Sequence, residues 1–226
     1  MRYYATASGP RVREAIDAGL LGMIASPACG NRVRPGWAWC ADNGCFTATG
    51  YPGDEAYLRW LGRRAGYADR CAFATAPDVV ADARATLRRS VPMLERIRAL
   101  GYPAALVLQD GQEHTRVPYD LIDAVFVGGT TAWKLGPAAA DLVAEAVSLG
   151  KYAHLGRVNS LRRLRHAVAI GCQSVDGTFL TFGPDRNLPT LLRWLRLTHP
   201  VEPDHQPAPG SPENPDATTT VTGVPS

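Results

Sequence analysis

Eight short apolar runs, each separated from the next by a loop or a helical stretch, constrain this chain more than any other feature. They fall at 2–7, 21–25, 37–42, 70–76, 104–109, 124–128, 151–155 and 174–179. Most are apolar on both faces and bounded by Gly, Pro or Asp. A strand with one wet face alternates in polarity; a strand covered on both faces does not, which predicts a parallel sheet under helices. Helical patterns occupy 10–18, 54–64, 79–100, 131–149, 160–170 and 188–197. Pro10 suits a helix start and Gly19 a helix end, while Pro92 predicts a kink or break. Leu161, Leu164 and Val168 form an apolar stripe behind Asn159 or Ser160 as N-cap. The stretch 109–124 is the weakest helix. This alternation predicts an α/β fold, a small (β/α)8 TIM-type barrel. An open doubly wound sheet is the alternative, but no glycine-rich dinucleotide or phosphate-loop motif supports it.

The 226 residues are enough for one sizeable core, assigned to 1–198. Residues 199–226 are rich in Pro, Ser, Thr and Asp and are expected to be a disordered tail. The start, MRYYATASGPRVREAI, lacks the apolar core of a signal peptide, and no run approaches the roughly 18 apolar residues that span a bilayer. Five cysteines form no secreted disulfide framework. The expectation is a cytoplasmic protein with no membrane partner. A net charge of +3 permits a nucleic-acid partner without demanding one.

In a barrel, functional groups gather where strands end. The ends here carry Cys40-Ala41-Asp42-Asn43-Gly44-Cys45-Phe46, Thr75-Ala76-Pro77-Asp78, Gln109-Asp110-Gly111 and Gly128-Gly129-Thr130-Thr131. The last two carry His154-Leu155-Gly156-Arg157-Val158-Asn159-Ser160 and Val175-Asp176-Gly177-Thr178. Taken singly, each has a structural explanation. Asp42 and Asp176 fit turns, Gly128 and Gly129 a tight bend, and Asp78 the cap of a helix from Val79. His154 fits a satisfied core histidine, and Phe46 and Trp133 fit core packing. Their recurrence at one predicted edge points to a site. Cys40 and Cys45 have no CxxC or HxxxH partner, so zinc would need Cys71 or Cys172 to converge, and no metal is expected. The arginines at 84, 88, 89, 96, 98, 162, 163 and 165 read as solvated helix faces. Arg157 differs: it lies in the seventh loop, where barrels often hold phosphate.

These motifs, in this order, resemble the tRNA-guanine transglycosylase superfamily. Asp42-Asn43-Gly44-Cys45-Phe46 resembles its Asp-Ser-Gly-Gly-Phe, Leu108-Gln109-Asp110-Gly111 its Val-Gln-Gly-Gly, and Val127-Gly128-Gly129 its Leu-Gly-Gly. Gly171-Cys172-Gln173-Ser174-Val175-Asp176 resembles its Gly-Val-Asp-Met-Phe-Asp. The resemblance spans about 41–186, and the family's C-terminal zinc-binding cysteine cluster has no counterpart. The segments 76–80 and 154–160 look more like the DpdA branch, which inserts 7-deazaguanine bases into DNA.

The resemblance implies a nucleophile at Asp176, a general acid/base at Asp42, and base-pocket roles for Gln109, Gly128 and Gly129. It extends substrate contact to Asn43, Gly44, Phe46, His154, Gly156 and Arg157. The family's base-reading aspartate directly follows a phenylalanine; here Ala74 follows Phe73, and Asp78 stands to take that role. The implied reaction exchanges guanine in DNA for a 7-deazaguanine (preQ0-type) base through an aspartyl-sugar intermediate, without metal or redox cofactor. DNA is favoured over tRNA, with accessory DNA-modification proteins as candidate partners. A nucleoside or DNA N-glycosidase, a tRNA base-exchange enzyme and a non-catalytic nucleic-acid-binding barrel stay open as alternatives.

Overall fold

The computed structural model describes residues 1–198. The expected tail, 199–226, lies outside the described residues. Eight parallel strands close into a barrel in chain order. They are β1 (Arg2–Ala5), β2 (Gly22–Ala25), β3 (Trp39–Ala41), β4 (Cys71–Thr75), β5 (Ala104–Leu108), β6 (Ala124–Val127), β7 (Tyr152–Leu155) and β8 (Ser174–Asp176). The ring closes where β1 pairs with β8, Tyr3 opposite Val175 and Tyr4 opposite Asp176. The α/β barrel expected from the alternation is therefore the fold found, and the doubly wound sheet is not.

The helices are α1 (Pro10–Asp17), α2 (Asp54–Gly62), α3 (Ala83–Ala99), α4 (Thr131–Lys134), α5 (Pro137–Ser148), α6 (Leu161–Ala169) and α7 (Pro184–Thr198). Three departures from expectation have local causes. The helix expected from Val79 starts at Ala83, because the Asp82 side chain caps it by accepting from the Ala85 N–H at 2.8 Å. Pro92 lies inside α3, which runs on without a break. The stretch 131–149 divides at Gly136-Pro137, where proline opens a new helix instead of continuing the old one. The weak helix at 109–124 is a single 3-10 turn, Gln112–His114. No helix among the described residues is long and apolar enough to cross a membrane.

Side chains alternate along each strand between the helix layer and the barrel interior. Most of the core lies between strands and helices. The interior holds a smaller cluster of Tyr4, Cys40, Phe73, Ala105 and Ala124. Alanines on β5 and β6 make room for rings from other strands. Phe73 is fully buried, edge-on to Tyr4 (ring centroids 6.3 Å) and Phe126 (6.0 Å), and 5.0 Å from the His154 ring. Truncating it would leave a void that neighbouring strands cannot fill. Phe73→Ala is expected to cost about 3–5 kcal/mol in urea unfolding, with Phe73→Leu losing clearly less.

Candidate active site

A cavity of about 340 Å³ opens at the C-terminal ends of the strands. Asp42, Asn43 and Phe46 reach it from the end of β3, Asp78 from β4 and Gln109 from β5. Gly128 and Gly129 line it after β6, Arg157 after β7, and Asp176 ends β8. Nine of the twelve site residues singled out by sequence thus meet at one opening. Gly44, His154 and Gly156 do not line it.

Those three support the wall instead. His154 is fully buried beneath Asp176, so it touches a site carboxylate, not a substrate. Gly44 has φ +83, and a Cβ there would approach the Gly50 carbonyl oxygen to 2.6 Å, so only glycine fits the turn after Asp42. Gly156 packs its bare Cα over the Phe126 ring, which an added Cβ would meet at 2.7 Å.

Asp176 is held from two sides. His154 Nε2 lies 2.8 Å from its Oδ2, and the Arg157 backbone N–H donates to its Oδ1 at 3.2 Å. On the other ring nitrogen, His154 Nδ1 is 2.7 Å from the Ser174 hydroxyl. Asp42 is treated differently. Burial, followed by the charge of Asp176, raises its carboxyl to about 7; the backbone N–H groups of Gly44 and Asn43 oppose that only partly.

Asp78 does not cap α3. It turns into the cavity, accepting from Asn43 Nδ2 at 2.9 Å and from Gln109 Nε2 at 2.6 Å. Burial raises its pKa above the ordinary carboxylate value, against the pull of these two amides. Gln109 is engaged at both ends of its amide: Nε2 donates to Asp78, and Oε1 accepts from the N–H groups of Ala81 and Gly129, each at 2.9 Å. It buttresses Asp78 and the glycine turn while lining the cavity.

Phe46 is not core: it is 61% exposed at the mouth, with the Arg157 guanidinium 4.8 Å from its ring centre. Arg157 also donates to the Gly129 carbonyl, so it straps β7 to the β6 loop across the opening. Trp133 is outside the cavity, its indole N–H donating to Glu113 at 2.9 Å. Among the described residues, no group of three His, Cys, Asp or Glu side chains is placed to hold a metal ion.

Sequence reasoning missed Ser174 and Lys134. Ser174 had a signal: it lies two residues before Asp176 on one strand, so both side chains share a face. Lys134 is 1% exposed, its Nζ donating to the Gly156 carbonyl at 2.7 Å. Burial, with Arg157 adding repulsion, pushes its amine down to about 7. A lysine at the end of a helix ordinarily points to water, so the sequence offered no hint of this one.

The Asp42 shift carries a stability consequence with a definite sign. Folded Asp42 keeps its proton up to about 7. An unfolded aspartate loses its proton near about 3.9. Between these values the folded state binds more protons, so this site's contribution to stability falls as pH rises. Asp42→Asn removes that loss. It is expected to raise Tm by several degrees near about pH 8 and to change it little near about pH 4, as read by scanning calorimetry.

No protein-family model matches this chain, and no curated protein matches it. Solved structures match at the level of architecture. KGPDC from Streptococcus mutans is 12% identical, the match covering 87% of this chain and 95% of that one with a TM-score of 0.52. The Bacillus subtilis YkuI protein, with an EAL domain and in complex with its substrate c-di-GMP and calcium, is 13% identical over 85% of this chain and 52% of that one, TM-score 0.43. A chain of the Amycolatopsis orientalis BexX/CysO complex is 10% identical over 87% of each chain, TM-score 0.39. At 12% identity the likeness to KGPDC concerns the barrel fold alone, a fold that hosts many chemistries.

Proposed function

We propose that this protein is a base-exchange transglycosylase that replaces guanine in DNA with a 7-deazaguanine base through a covalent aspartyl-sugar intermediate. One observation carries the reading: Asp42 and Asp176 line the same cavity, near enough for the charge of Asp176 to raise the Asp42 carboxyl.

That pair suits substitution at an anomeric carbon. The Asp176 carboxylate attacks C1′, forming an ester bond as the C1′–N9 bond breaks. The bonding pair leaves with guanine, which takes the Asp42 proton. The incoming base then gives its N9 proton to Asp42 and attacks C1′, and Asp176 departs as carboxylate. Two inversions return the original configuration. A group near 7 can serve in both directions at neutral pH. The cavity is of the size that holds small ligands, so a duplex base would have to flip out of its stack to enter. Asp78, supported by Asn43 and Gln109, is the group available for the N–H edge of a purine.

A polynucleotide also needs a path for its phosphates. A second groove, lined by Arg13, Arg32 and Arg34 with Trp37, adjoins the cavity. Thr6 and Cys29 line the first opening, and the next residues along the chain, Ala7 and Gly30, line the second. Arg34 shares its charge with Asp17 at 3.9 Å. Arg13 and Arg32 have no carboxylate at ion-pair distance among the described residues.

Two experiments follow. Incubation with guanine-containing DNA and labelled 7-cyano-7-deazaguanine is expected to place label in DNA, and Asp176→Ala to abolish it. Full activity in Asp176→Asn would overturn the nucleophile assignment. Abasic sites without label would indicate a glycosidase that uses water, and label in tRNA alone would indicate the RNA reaction. In the second experiment, the Arg13→Ala/Arg32→Ala double variant should bind DNA more weakly and flatten the slope of log affinity against log salt by about 2.

A further inference from the structure

The groups behind Asp176 form a connected device that the exchange chemistry alone does not require. His154 sits on β7, in register with Ser174 of β8. Its ring is fully buried, 5.0 Å from the Phe73 ring and 4.6 Å from the Phe126 ring. In that apolar slot a polar ring is tolerated only with both nitrogens occupied. Ser174 and Asp176 occupy them, at 2.7 and 2.8 Å. A serine hydroxyl can donate to Nδ1, whereas an ionised carboxylate can only accept. The arrangement therefore selects the tautomer with its proton on Nε2, aimed at Asp176 Oδ2.

The other oxygen is served by a single peptide plane. The C=O of Gly156 accepts from Lys134 Nζ at 2.7 Å, and the N–H of Arg157 donates to Asp176 Oδ1. In a trans peptide these two groups point in opposite directions, so a donor fixed on one side fixes the aim of the other. Arg157 holds φ +61, a left-handed conformation that a residue with a Cβ keeps only when its surroundings impose it. The buried Lys134 amine on one side and the Asp176 carboxylate on the other supply that imposition.

We propose that His154 and Lys134 are positioning residues that fix the Asp176 carboxylate for attack, His154 through Oδ2 and Lys134 through the Gly156–Arg157 peptide on Oδ1. The role rests on the base-exchange reading above. It predicts lost rate rather than lost binding, because neither side chain lines the cavity. Displacing a reacting group by about 1 Å costs on the order of 100-fold.

The test compares His154→Phe, which keeps a ring between Phe73 and Phe126, His154→Gln, which keeps a donor, and Lys134→Met, which keeps length without charge. For each, the single-turnover rate of the denaturation-resistant DNA–protein adduct is measured beside the Kd for the same DNA. The expected result is a rate about 10–100-fold lower in His154→Phe and Lys134→Met with Kd unchanged, and about tenfold of that loss recovered in His154→Gln. A wild-type adduct rate in His154→Phe and Lys134→Met, or a loss confined to Kd, overturns the proposal. If the wild-type protein forms no adduct, the base-exchange reading fails, and the clamp is judged without chemistry. The nitrogen-15 spectrum of His154 should then show the Nε2–H tautomer in the wild type and a mixture in Ser174→Ala; an Nδ1–H wild type overturns the clamp by itself.

Discussion

Closure of the barrel between β1 and β8 is the constraint on which the site depends. Three register pairs join the two strands, the last of them Tyr4 with Asp176. Because all eight strands are parallel, closure brings every C-terminal end to one rim, and residues far apart in sequence come to share a cavity. β8 has only three residues, so its hold on position is borrowed from both neighbours. Besides the ladders to β1 and β7, the Asp176 carbonyl accepts from the Val158 N–H at 2.6 Å. Any loss of that closure would release the carboxylate most embedded in the strand framework.

Three carboxylates meet around this cavity, and the chain gives each a different environment. Asp78 receives two side-chain amides. Asp176 receives an imidazole and a peptide N–H. Asp42 is left mostly with backbone N–H groups from the turn that follows it, and with the field of its neighbours. Donors therefore fix the orientation of Asp176, while desolvation and repulsion mark Asp42 as the group that carries a proton near neutrality. Arg157, which could have neutralised either, instead spends its guanidinium on the Gly129 carbonyl and the Phe46 ring. A raised carboxyl beside one held in place by donors is the arrangement that the proposed division of acid and nucleophile roles needs.

The barrel was legible because its signals are local and repeated: most strand runs are apolar on both faces and most end near a Gly, Asp or Asn. Asp42, Asp78, Gln109 and Asp176 were legible as site residues for the same reason, since rim position follows from strand ends. Their roles were less so. Taken singly Asp78 read as a helix cap, because the Val79–Ala81 turn, with Ala81 at φ +62, delays α3 in a way no periodicity announces; the resemblance gave it the base-reading place. Taken singly Phe46 read as core, because composition cannot say that a phenylalanine after a Gly-Cys turn will project over a cavity, and only the resemblance placed it among the substrate contacts. For His154 the resemblance implied substrate contact, whereas the residue taken singly read as a satisfied core histidine, and it is buried with both ring nitrogens partnered. Lys134 was invisible because its partner, the Gly156 carbonyl, belongs to another strand's loop.

A compact barrel also limits where support for a site can come from. Larger barrels buttress catalytic groups with long loops and inserted domains. Here the βα loops that reach toward Asp176 from the neighbouring strands are short; β7 reaches α6 across only five residues and β6 reaches α4 across three. Such loops supply backbone N–H groups and a strap such as Arg157, but few side chains that could approach a carboxylate from behind. The remaining source is the barrel interior, where alternate residues of adjacent strands face one another. Small residues at Ala105 and Ala124 leave that interior wide enough for Phe73, Phe126 and an imidazole. The polar pair His154 and Ser174 then occupies the layer directly beneath Asp176. In this chain, packing the core and aiming the carboxylate are one task, carried out by the same layer of side chains.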